Sequence, residues 1–410
     1  MKKILIWDYE IPLKDLGGPS GYLNNIYNYI QTYHPTDSIY FLSDLIESTK
    51  SEPDVNIIKE KGHKSMKKYL GRLIPQSLKK IVPFIKHISS WKPYGFLPRL
   101  KPTFDYKDFD IIHFHISYHL YVFNDVLRKE NRNCLFLLTT HCPQPLAHEL
   151  VEGMSPWKWL ANYIRPKLEK KESLAWNHAN YIIFPVPESI DVYKSNPYLK
   201  DYIEKIGSKF RFCATGISEN YHKKHLDIRT MLNIPKDAFI VSYIGRHNEI
   251  KGFSELKKIG EKTLNTNDNI YFVIAGKEEP IRGLNHNRWI ELGWIDYGND
   301  LMEQSDLFIL PNKDTYFDLI ALEALRVGVP ILMTQTGGNL YFQKNFHSSG
   351  LNFYPYGNNI GAAEEILKVY KQKLDGKLGI SRKENKKLFS SRFTTKSFIT
   401  NYLKICDSLV

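Results

Sequence analysis

The chain has 410 residues, of which 42% are apolar, 24% charged and 13% aromatic; without a low-complexity tract, this excludes a disordered or fibrous protein and leaves room for two globular domains. Lys and Arg number 56 against 44 Asp and Glu, a net charge of +12 that suits an anionic partner. No run approaches the 18 apolar residues of a membrane-spanning helix, the four cysteines lack C-x-x-C or finger spacing, and Asp8 interrupts the N-terminal apolar run; a reduced, cytoplasmic setting is the expectation.

In chain order, residues 4–8 read as a short apolar strand, followed by a loop with Gly17, Gly18 and Gly21 and a helix over roughly 21–33. Strands are expected at 38–43, 110–115, 134–141 and 179–186, with a long helix at roughly 156–177 before the last of them. Residues 210–218 read as a final strand running into a linker. A second series begins at 238–245 and continues at 270–276, near 289–295, at 306–312 and at 329–334, with a helix ending at Val327–Gly328 and a helical tail from about Ser381. Continuous apolar runs separated by helices predict parallel sheets buried on both faces. The expected fold is therefore α/β, with two doubly wound domains. The first covers 1–216, the second 217–390, and a helix at 391–410 is expected to pack back on the N-terminal domain. Ligands of such a fold bind beyond the strand C-termini, in the crevice between the domains.

Between Lys59 and Lys101 lie twelve Lys or Arg and one acid, Glu60, interleaved with Leu, Ile, Phe and Trp. This is the pattern of an interfacial segment, and it makes Lys67, Lys68, Lys79 and Lys80 candidates for contact with an anionic membrane or acceptor; a solvated insertion is the bland alternative.

The strongest chemical signal runs from Gly245-Arg246 to Lys251-Gly252, after an apolar strand and at the start of a helix. Open helix amides together with two cations suit a diphosphate, whose charge grows when it departs as a leaving group. A second block, from Asp306 to Gly328, reads as strand, loop and helix, with Asp318 placed to cap the helix and Glu323 inside it between Leu322 and Ala324. A carboxylate in apolar company needs partners, and a ribose diol is one. Asp108-Phe109-Asp110 has the D-x-D form of a manganese site, but it precedes its strand and reads as a turn. His113, His115 and His119 lack a nearby fourth zinc ligand. No metal and no cofactor is expected, and no nucleic-acid-reading motif appears.

Together these motifs resemble the retaining nucleotide-sugar glycosyltransferases of the GT-B fold, which carry two Glu in a Glu-x7-Glu motif. Further matches are Asn269 to Gly276, Leu292 to Ile295, Thr336-Gly337-Gly338, the glycine loop Gly17 to Gly21, and the strand-end histidines His115 and His141. The resemblance implies two Rossmann-like domains facing a central cleft. It implies that Arg246 and Lys251 stabilise a leaving nucleotide diphosphate, UDP on base rates, and that Glu323 holds the ribose. His141 would meet the donor sugar, and the Gly18 and Gly245 backbones would approach the phosphates. Thr315, Phe317, Asp318 and Leu319 would line the donor site. Transfer would retain configuration, need no metal, and deliver the sugar to a hydroxyl of a glycan or lipid-linked acceptor in surface polysaccharide or glycoconjugate synthesis, at the inner face of the membrane.

One departure stands out. Thr315 occupies the position of the first Glu, and Thr315-Tyr316-Phe317-Asp318 replaces the usual Glu-Pro-Phe-Gly. Asp318 or Asp314 is the expected substitute for the missing carboxylate. A non-catalytic subunit that stabilises a catalytic partner, or a nucleotide-sugar epimerase, remains as an alternative. Sugar, acceptor, linkage and oligomeric state are not legible.

Overall fold

The computed structural model describes residues 1–9, 11–13, 18–33, 38–49, 107–131, 133–152, 154 and 157–410. The basic segment 59–101, with Lys67, Lys68, Lys79 and Lys80, lies outside the described residues, as does Gly17.

Twelve strands are described, in two sheets of six, and the described pairings between named strands are parallel. The first holds β1 (Ile4–Trp7), β2 (Ile39–Phe41), β3 (Ile111–Phe114), β4 (Leu135–Thr139), β5 (Tyr181–Phe184) and β6 (Phe210–Phe212), ordered β2-β1-β3-β4-β5-β6. The second holds β7 (Phe239–Ile244), β8 (Ile270–Ala275), β9 (Trp289–Glu291), β10 (Leu307–Leu310), β11 (Ile331–Thr334) and β12 (Leu351–Tyr354), ordered β12-β11-β10-β7-β8-β9. Crossovers change direction between β1 and β3 in the first sheet and between β7 and β10 in the second, so each sheet has one topological switch point.

The described helices are α1 (Pro19–Tyr33), α2 (Leu42–Thr49), α3 (Ser117–Glu130), α4 (Leu146–Glu152), α5 (Lys158–His178), α6 (Pro197–Lys205), α7 (Ile228–Met231) and α8 (Phe253–Thr266). They continue with α9 (Gly298–Gln304), α10 (Leu319–Val327), α11 (Asn339–Asn345), α12 (Asn359–Leu374), α13 (Leu378–Arg392) and α14 (Thr395–Ser408). The α/β reading holds, with strands up to six residues shorter than their apolar runs. The run 210–218 forms ladder only over Phe210–Phe212, and β12 has no counterpart in the sequence reading.

Two compact units result, and they do not follow chain order. One carries most of the first sheet; the other carries the second sheet together with α1, residues 184–195 and the C-terminal helices. Within that second unit α14 packs on α1, with Tyr22 edge-on to Phe398 at 5.5 Å between ring centroids.

The strands form where they do because residues such as Ile4–Trp7 and Phe308–Ile309 are wholly enclosed by helices on both sheet faces. Asp306 pins the start of β10 to β7. Its buried carboxylate accepts from the Ile240 amide at 2.9 Å, from Arg229 at 3.0 Å and from Lys373 at 3.0 Å, so the charge is fully partnered. Gly328 ends α10 in the left-handed region at φ 82°, as its position predicts. Asp110 belongs to a turn and accepts from the Lys3 amide at 2.7 Å.

Beside the switch point of the first sheet, His113 on β3 shares a 2.8 Å hydrogen bond with Thr139 of β4, and both are buried. Burial holds the His113 imidazole down at about 3 and the adjacent buried His115 well below its ordinary value. An unfolded chain protonates both rings below about pH 6.5, whereas the folded chain resists until far lower. Stability from the neutral rings is therefore whole above pH 6.5 or so and falls with pH below it, by about 1.4 kcal/mol per pH unit for each ring. We expect the proton uptake measured on unfolding at about pH 5 to drop by close to one in His113→Gln, which keeps a partner for Thr139. An unchanged uptake means that His113 is charged in the folded protein.

Candidate active site

The site is built at the switch point of the second sheet, where the loops after β7 and β10 meet. Between β7 and α8 the chain turns sharply: the Lys251 amide donates to Asn248 Oδ1 at 2.9 Å, and Phe253 and Gly252 amides close on the carbonyls of Asn248 and Glu249. Gly252 adopts φ 67° and opens α8, and a Cβ there would collide with the Pro311 carbonyl at the end of β10. The two loops are thus in backbone contact, which only glycine permits. On the other side of the β10 loop the Gly338 amide donates to the Thr315 carbonyl at 3.1 Å, and side chains at Gly337 or Gly338 would strike the backbone of Thr315 and Tyr316.

This packing brings Lys251 and Asp318 together. Lys251 Nζ lies 2.8 Å from both Asp318 carboxylate oxygens, and the buried Asn312 amide donates to Asp318 Oδ2 at 2.7 Å. Both charged side chains are largely covered, at 25% and 17% exposure. The expectation that the Asp318 side chain caps α10 is therefore corrected. Asp318 stands at the N-cap position, but its carboxylate makes no capping bond, because Lys251 and Asn312 hold it. The N-terminus of α10 is left without a side-chain cap, and so is that of α8. Both helices start from these loops without a side-chain cap, a setting for an anion, although the Phe253 amide of α8 is already bonded to the Asn248 carbonyl. Asn312 was not singled out from the sequence; its role depends on a contact six residues away, and an Asn between a strand and a loop carries no such signal.

Arg246 lies in the same turn and is exposed; its carbonyl accepts from the Tyr243 hydroxyl at 2.9 Å, while its guanidinium has no hydrogen-bond or ion-pair partner among the described residues. Gly245 precedes it and donates to the Ala275 carbonyl at 2.9 Å, tying the turn to β8. Glu323 is half-buried on α10 between Leu322 and Ala324, which are fully enclosed. Leu319, half-buried, is the first residue of α10.

Two other candidates point into the protein. Phe317 is buried in an aromatic cluster, stacked on Phe342 at 5.5 Å and near Phe393. Thr315 is fully buried, and its hydroxyl has no hydrogen-bond partner among the described residues. Its position presents an uncharged orphan hydroxyl where the resemblance predicts a carboxylate. Gly18, at φ 74°, is exposed and precedes α1, whose Tyr22 amide donates to its carbonyl at 3.1 Å. His141 is half-buried in the other unit. It shares a 3.0 Å hydrogen bond with His115, and burial lowers its imidazole to about 3. At neutral pH it is an uncharged donor or acceptor.

Residues 225–389 match the family model described as glycosyl transferases group 1. The O-antigen biosynthesis glycosyltransferase WclY of Escherichia coli is 24% identical over 212 residues, which are 49% of this chain and 56% of that protein. The putative teichuronic acid biosynthesis glycosyltransferase TuaC of Bacillus subtilis (strain 168) is 29% identical over 124 residues, 30% of this chain and 31% of that one. The chain thus spans about half the length of the curated relative that it matches over the longer stretch. Among solved structures, Anabaena Alr3699/HepE in complex with UDP is similar over 100% of both chains, with a TM-score of 0.61 at 15% identity. Sucrose-phosphate synthase (tll1590) from Thermosynechococcus elongatus covers 100% of this chain and 99% of its own, with a TM-score of 0.62 at 16% identity. The fold is the two-domain α/β architecture of these GT-B proteins.

Proposed function

We propose that the protein is a retaining, metal-independent glycosyltransferase that uses a nucleotide diphosphate sugar, UDP-linked by preference. The observation that carries this reading is the concentration of Arg246, Lys251 and two uncapped helix ends at one switch point, within the stretch matched by the family model. UDP is favoured because a solved structure of the same fold holds it. In the proposed reaction the bond from the sugar anomeric carbon to the diphosphate oxygen breaks as the acceptor hydroxyl oxygen bonds to that carbon. The acceptor proton passes to the departing diphosphate, whose charge Arg246 and Lys251 take up. Glu323 holds the ribose. A glycan or lipid-linked acceptor follows from the relatives named for O-antigen and teichuronic acid biosynthesis.

Asp318 adds a feature of this chain. Its carboxylate occupies Lys251, so a diphosphate must share or replace it. A non-catalytic, nucleotide-binding subunit is the second reading, favoured by the uncharged Thr315.

In a screen of nucleotide sugars, Arg246→Ala and Lys251→Ala are each expected to lower turnover by roughly 100–1,000-fold with the fold retained; changes below threefold or so in both place the phosphates elsewhere. Binding of a nucleotide without transfer for any donor supports the subunit reading. Turnover is expected to persist in excess EDTA, and a loss reversed by manganese removes the metal-independent mechanism. Asp318→Asn releases Lys251 from its counter-charge and is expected to tighten UDP binding, read by calorimetry, by about tenfold, the scale of one charge-assisted hydrogen bond. Unchanged affinity means that Lys251 does not meet the diphosphate.

A further inference from the structure

Helix α5 departs from the ordinary polarity of a surface helix, which buries its apolar stripe and exposes its charges. Its acids Glu169 and Glu172 are the buried ones. Glu169 pairs with His148 at 2.8 Å, and Glu172 accepts from the Leu146 amide at 2.8 Å and from the Asn196 side chain. On the outward side Trp159 and Tyr163 are 68% and 63% exposed, and Pro166 and Leu174 continue the stripe at helical spacing. Lys158, Lys167 and Lys170 are exposed along the same three turns, with Lys167 Nζ 3.9 Å from the centre of the Tyr163 ring, while the half-exposed Arg165 reaches back to Glu169 at 3.9 Å. Glu169 and Glu172 are the only acids of α5, so the helix exposes none; the exposed acids of the flanking helix α4 are Glu149 and Glu152.

We propose that this face of α5 docks on an anionic lipid bilayer, with Trp159 and Tyr163 at headgroup level and the lysines on the lipid phosphates. Large exposed aromatics with polar edges belong at a membrane–water boundary, and long basic side chains reach its charges while their stems cover apolar surface. Charge complementarity selects this occupant over a second copy of the chain packed face to face on α5, which would bring Lys158, Lys167 and Lys170 against the same three lysines. The inference stands on α5 alone, is independent of the basic segment at 59–101, and does not depend on the identity of the donor.

The test uses the full chain with phosphatidylglycerol-containing vesicles and with phosphatidylcholine vesicles. In Lys158→Gln/Lys167→Gln/Lys170→Gln, partition onto the anionic vesicles is expected to fall by about fivefold per lysine, roughly 100-fold in all. Trp159→Ser/Tyr163→Ser is expected to weaken it on its own, and both variants should keep the wild-type thermal midpoint because the altered side chains are exposed. A bimane label on Tyr163→Cys is expected to shift to the blue with anionic vesicles only. Lys67, Lys68, Lys79 and Lys80 stay intact throughout, so a loss is assigned to α5. Unchanged partition in both variants, or a label that stays in water, overturns the proposal. So does sedimentation showing a wild-type dimer that the variants dissolve, because the face then belongs to a second copy.

Discussion

The backbone contact between Gly252 and Pro311 is the constraint on which the site depends. A parallel sheet with one reversal of crossover direction leaves its central two strands with loops that diverge, and something must bring them back. Here the turn after β7 closes against the end of β10 at a position with no room for a Cβ. Lys251 and Asp318 are 67 residues apart in sequence and meet only because of that closure. The paired glycines at 337 and 338 perform the same service on the far side of the β10 loop, so the backbone of Thr315 to Phe317 is clamped between two neighbours.

The clamp has electrostatic consequences. An ion pair with both partners largely covered is costly to break by removal of one member, because the other is left without a counter-charge. Asn312 raises that cost for Asp318 by adding a hydrogen bond from a buried amide. Exposed Arg246, by contrast, can meet an incoming anion without first giving up a partner among the described residues. The two cations are therefore unequal. Arg246 is suited to first encounter with a phosphate, and Lys251 responds only to a ligand whose charge can compete with a carboxylate already in place.

Much of this architecture was legible in the sequence, for a physical reason. Strands buried on both faces must be continuously apolar, so β1, β3, β4, β7, β8, β10 and β11 declare themselves, and Gly328 marks a helix end by the one conformation that it tolerates best. Strand β12 was hidden because its residues Leu351–Tyr354 alternate with Asn352 and follow a polar loop. What a side chain touches across the fold was less accessible. The capping pattern at Asp318 is a local rule, and a lysine delivered from another loop overrode it. Phe317 reads as a site residue by position, while Phe342 and Phe393, far along the chain, draw it into an aromatic cluster. The compact units were equally hidden, because α1 follows the first strand of one sheet and yet packs with the last helix of the chain.

Helix α5 shows how a local pattern can mislead in the opposite direction. Its 21 residues mix aromatic, basic and acidic side chains, and read alone they suggest a solvated helix. The acids are consumed inside the unit: Glu172 serves the backbone amides that open α4, and Glu169 serves His148. Burial raises the Glu172 carboxyl to about 7, so at neutral pH even this buried charge is partly quenched. With both acids turned inward, Arg165 is the cation of this stretch that pairs with its own helix, through Glu169 at 3.9 Å, and Lys158, Lys167 and Lys170 have no ion pair to it. The same residues that stabilise the α4–α5 contact thereby set the sign of the exposed face, which links packing within this unit to the kind of surface that it can meet.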